Sequence, residues 1–120
     1  MMSSYTINQP RPDVIRVAFP QGWDSEGESP VMFKEVLEAL DDAQQQITLL
    51  IVAGDERPTY AGGLSFARAV LTHDRLKKMV VVAQNAQLAA DHMSATRGER
   101  GLPPIPILAF EDESQAATNL

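Results

Sequence analysis

The 120-residue chain contains no cysteine. Disulfide frameworks, thiolate nucleophiles and cysteine-ligated zinc are thereby excluded, and a reducing compartment suits the composition. Histidine is nearly as scarce: His73 and His92 lie far apart, neither has a second ligand four residues on, and no metal site is expected. Basic residues number 10 against 16 acidic ones, giving a formal charge of −6. Such a surface repels phosphate backbones and anionic lipid, so nucleic acid is not an expected partner. Long apolar runs are also missing. The longest, around Ile47–Ala53 and Met79–Ala83, fall well short of the roughly 20 residues that span a bilayer, and no membrane insertion is expected. Met1–Gln9 lacks the basic patch and apolar run of a secretory leader, so the expected location is the cytoplasm. The length matches one domain of roughly 100–150 residues, with residues 1–12 as an amino-terminal strand and linker.

What the chain does have is periodic apolar patterning. Tyr5–Gln9 alternates, and Val14–Phe19 is rich in residues that suit a pleated surface, so two strands are expected there, with the amino strand pairing either in a hairpin within its own sheet or with another copy. Gln21–Glu28 reads as a loop. Ser29-Pro30 is a cap followed by proline, and Phe33, Val36, Leu37 and Leu40 recur at i, i+3, i+4 and i+7, predicting a helix over Pro30–Gln45. Ile47–Ala53 is apolar on both alternating faces, the pattern of a central, doubly covered strand. A helix over Ala61–Thr72 follows, then a buried strand at Met79–Ala83 with Lys77 and Lys78 as solvated punctuation, then a helix over Asn85–Arg97 ended by Gly98. Ile105–Phe110 closes the sheet, and Pro106, without a ladder donor, places it at an edge. A last helix over Asp112–Leu120 begins at capping-box spacing between Asp112 and Gln115. Alternating buried strands and amphipathic helices define an α/β fold: a mixed, mostly parallel sheet of about five strands with about four helices.

Three features give a resemblance to a known family. They are this order of elements, the run Leu49-Leu50-Ile51-Val52-Ala53 leading through a loop to Tyr60-Ala61-Gly62-Gly63-Leu64, and the ending Ala109-Phe110-Glu111-Asp112-Glu113-Ser114-Gln115-Ala116. On these the chain resembles STAS domains, in particular the stand-alone SpoIIAA-like branch related to bacterial anti-sigma factor antagonists. Leu120 fits the hydrophobic ending of that branch, whereas Asn119 stands where a tryptophan is common. The resemblance implies a STAS-like architecture and regulation through protein contacts. It also implies a departure. The antagonists place a phosphorylatable serine at the helix start, where this chain has Ala61, so a phospho-switch at that position is excluded.

In open parallel sheets ligands bind beyond the carboxyl ends of the strands. The candidate binding loop is therefore Gly54–Ser65, with Gly54, Asp55, Thr59, Tyr60, Gly62, Gly63 and Ser65 as contact residues. Its glycines would let backbone donors approach a partner or an anion closely, although they equally suit a turn and tight packing of helix on sheet. Trp23, the only tryptophan, is a candidate partner anchor or else a cap on the core. No catalytic residue emerges. Gly63-Leu64-Ser65-Phe66-Ala67 lacks the final glycine of a nucleophile elbow, the strand ends lack the acids of a receiver pocket, and His73 reads as a helix-end cap. The expectation is a non-enzymatic regulatory module that needs no cofactor and binds a protein partner, including a second copy of itself. The alternative is a carrier of small apolar ligands of the CRAL-TRIO type, with a pocket between the helices Ala61–Thr72 and Asn85–Met93. An enzyme of unrecognised type ranks last.

Overall fold

The order of burial along the chain explains the architecture. In a computed structural model, which describes residues 5–19, 25–53, 70, 72–83, 86–99, 101 and 104–120, the segment Ile47–Ile51 is buried throughout. Such a segment satisfies its backbone and covers both faces only in the middle of a sheet. It forms β3 (Ile47–Ala53), flanked by β2 (Val14–Phe19) and β4 (Leu76–Val82), with β1 (Thr6–Arg11) and β5 (Ile107–Phe110) outermost. The order is β1-β2-β3-β4-β5, with β1 antiparallel to β2 and all other pairs parallel. The amino-terminal strand thus pairs within its own sheet as a hairpin. Pro106 precedes an edge strand, where it contributes its carbonyl to the Met79 amide and needs no donor.

Three helices lie among the described residues: α1 (Ser25–Asp42), α2 (Ala86–Glu99) and α3 (Glu113–Ala117). The crossover through α1 packs on one face of the sheet. On that first face Met32, Phe33, Val36 and Leu40 of α1 pack with Ile15, Val17, Leu49, Ile51, Met79, Val81 and Val70. Tyr5 joins them and donates its hydroxyl to Glu35 Oε1 at 2.6 Å, pinning the start of the hairpin to α1. The second face holds Leu50, Val80 and Val82, with Ala116 of α3 set on them and Val52, Phe110 and Leu120 around the margin. Burying one methyl group and half a leucine is worth about 1–2 kcal/mol, so α3 is held far more lightly than α1.

Several boundaries differ from those read in the sequence. α1 begins at Ser25 rather than Pro30, so part of the expected loop Gln21–Glu28 is helical, and it ends at Asp42 rather than Gln45. Pro30 reads as a first-turn residue because it lacks an amide hydrogen, yet the helix continues through it. β4 starts at Leu76, not Met79, because Lys77 occupies a register shift opposite Ile47/Thr48 and stays exposed while the ladder continues. α2 runs through Gly98 to Glu99. The chain turns instead at Gly101, whose φ of +68° is the left-handed conformation that stops a helix and that glycine adopts without strain. β5 is shorter than Ile105–Phe110, beginning at Ile107. α3 spans five residues, and its cap differs from the expected reciprocal box: Asp112 accepts from the Ser114 amide and hydroxyl, each at 2.9 Å. Of the helix expected over Ala61–Thr72, only Val70, helical and buried, and Thr72, in the following turn, are among the described residues.

Candidate functional site

The parallel register brings Phe19 beside Ala53, and Val52, Val82 and Phe110 into one row, so β2 to β5 end together along a single carboxyl edge. The final residues there are Ala18-Phe19, Val52-Ala53, Val81-Val82 and Ala109-Phe110. Each is a hydrocarbon. Polar chemistry at this edge has to come from the loops that follow the strands or from bare backbone.

Every contact residue proposed from the sequence, namely Gly54, Asp55, Thr59, Tyr60, Gly62, Gly63, Ser65 and Trp23, lies outside the described residues. So does most of the pocket region between the second and third expected helices, including the His92 and Met93 side chains. What the structure places is the frame. Ala53 brings the central strand to the carboxyl edge immediately before Gly54, and Val70 sits in the first-face core. Among the described residues no group of three or more histidine, aspartate or glutamate side chains is arranged to hold a metal ion.

After β5, the acidic run Glu111-Asp112-Glu113 is largely committed to structure. Asp112 is held below the usual carboxylate range by the Ser114 amide and then by its hydroxyl. Glu113 reaches back to β2, where its two carboxylate oxygens accept from Arg16 Nε at 2.9 Å and an Arg16 terminal nitrogen at 3.0 Å. This fork-to-fork contact lowers the Glu113 pKa and raises that of Arg16, against the opposing effect of partial burial in each case. At the other end of the same segment, Lys78 Nζ donates to the Asn119 carbonyl. Sequence reading missed Arg16 and Lys78 as a pair. The available signal was the period of two, since Val14, Arg16 and Ala18 share the second face and Arg16 is the sole charge in its strand.

A second polar cluster sits at the opposite, amino edge. The helix that His73 was expected to cap lies largely outside the described residues; His73 Nε2 lies 2.7 Å from Asp41 Oδ1 at the end of α1. The Arg75 amide donates to Nδ1 at 3.0 Å. An amide can only donate, so the ring hydrogen resides on Nε2 and points at Asp41. The Arg75 guanidinium donates to the Ala43 carbonyl, and Gln46 donates to the Asp74 carbonyl at 3.2 Å, so the cluster stitches loop 43–46 to loop 72–75.

The family models, the curated proteins and the solved structures contain no match to this chain.

Proposed function

We propose that the chain is a non-enzymatic, cytoplasmic regulatory module that acts through protein contacts. In this reading it works like an anti-sigma factor antagonist without the phosphoacceptor, and its contact surface is Gly54–Ser65 with Trp23 as an anchor. The observation that carries it is the carboxyl edge. An α/β enzyme of parallel topology draws acids, bases and nucleophiles from strand ends, whereas here all four parallel strands end in hydrocarbon residues and deliver the glycine-rich segment 54–63 from the central one. Backbone-rich recognition of another polypeptide suits such an edge better than proton transfer does. The resemblance to STAS domains supports the same reading. No helix among the described residues is long and apolar enough to cross a membrane.

Native mass spectrometry of the purified protein, beside a Gly63→Trp variant, tests this. The expected result is a dimer or partner complex that Gly63→Trp abolishes without changing the far-ultraviolet spectrum. Binding retained by that variant would sink the reading, and added mass released on denaturation would replace it with the apolar-ligand carrier.

A further inference from the structure

We infer that α3 is an exchangeable strap, and that the second-face floor beneath it accepts the same segment of a second copy of this chain. The floor is apolar in the middle and basic at both ends. Leu50, Val80 and Val82 form its centre, Arg16 stands at the end where α3 begins, and Lys78 stands where the segment finishes. The strap presents the complementary order: Glu113 for Arg16, then Ala116 for the apolar centre, then the Asn119 carbonyl for Lys78, and finally Leu120 at the margin. Charge and shape therefore fix the direction in which a strap can lie, and this protein's own sequence is the one segment known to match it.

Three further observations favour exchange over a permanent seat. Of the five residues of α3, Ala116 alone is buried. Both latches are wet: the Arg16 and Glu113 side chains are 28% and 41% exposed, and the Lys78 bond to the Asn119 carbonyl is exposed. The joint between β5 and α3 is Glu111-Asp112, two exposed residues, and a joint of that kind reorients without disturbing the core. Exchange of an identical element between protomers is a low-cost route to a dimer. The inference does not depend on the function proposed above.

Charge reversal in separate chains tests the exchange. Arg16→Glu places like charges at the latch, as does Glu113→Arg, so each variant alone repels its own strap and that of an identical copy. In a mixture, the strap of each chain matches the floor of the other. The expected result is a heterodimer at twice the 13.1 kDa chain mass, exceeding either homodimer by at least about tenfold, while the double variant R16E/E113R in one chain stays monomeric at low concentration with its strap seated. Folded single variants that give no heterodimer would overturn the inference. Should either single variant fail to fold, the absence of native cysteine allows a second assay. Chains carrying Gln115→Cys and Ala18→Cys, one in each copy, are joined with a short bismaleimide; crosslinks between chains support exchange, and crosslinks absent at every protein concentration overturn it.

Discussion

His73 accepts the Arg75 amide on Nδ1 and points Nε2 at Asp41 Oδ1, 2.7 Å away, so a single ring joins the end of α1 to the approach to β4. Its backbone neighbours reinforce the joint: the Ile47 amide bonds the Arg75 carbonyl and the Leu76 amide bonds the His73 carbonyl.

The two halves of the His73 contact are separable. An asparagine at this position still reaches the amide two residues on, as in an Asx turn, but falls short of Asp41. His73→Leu removes both bonds and leaves the Arg75 amide unmatched. His73→Asn is expected to cost less than about 1 kcal/mol, given that Asp41 is well exposed, and His73→Leu about 1–3 kcal/mol. Urea denaturation of both variants checks the order, and equal losses would show that the amide bond contributes nothing.

Two nearby glycines are expected to respond with opposite signs. Gly98 lies inside α2 and a β-carbon added there meets nothing within 4 Å, so Gly98→Ala is expected to stabilise by about 0.5–1 kcal/mol. Gly101 also faces open space, but its φ of +68° strains any side chain, and Gly101→Ala is expected to cost about 1–2 kcal/mol. Thermal unfolding of the pair distinguishes conformational strain from lack of room, because space is equal at both sites.

Acid should loosen α3 before the rest of the sheet. Glu113 is held below its ordinary value of 4.5, chiefly by its hydrogen bonds to Arg16. A carboxylate lowered by folding contributes stability that is complete above its unfolded pKa and is lost as pH falls through the folded one. Protection of the α3 amides is therefore expected to decline from about pH 4.5 downward while the β3 and β4 amides stay protected. Hydrogen exchange followed by NMR reads this directly. Arg16→Leu should lessen the pH dependence, and an unchanged profile in that variant would assign the acid response elsewhere, with the Asp112 cap as the next group to test.

The sheet was legible from the sequence because burial on both faces writes itself as an uninterrupted apolar run, as in Ile47–Ile51, and Pro106, just before β5, marks an edge. The ends of elements were harder to read. Lys77 and Lys78 look like loop residues to any periodicity argument, yet a register shift lets one point outward while the other spans the second face to Asn119. Gly98 looked like a helix stop because composition does not reveal φ, and the left-handed residue is Gly101. The links Arg16 to Glu113 and His73 to Asp41 join residues 97 and 32 positions apart, distances at which no local pattern operates. The candidate loop was reached by topology alone, from the rule that parallel strands open their ligand sites at the carboxyl edge.

The hairpin carries one more consequence. Between Asn8 and Arg11 the register with β2 slips by one residue, at the point where Pro10 removes a donor from the outermost strand. On the far side β5 offers only four residues, preceded by Pro104 and Pro106. A foreign strand arriving at either margin meets a bent, donor-poor rim or a four-residue one, features that disfavour lateral addition of another chain. The two outermost strands of the five thus carry the features that guard an open sheet against its own edges.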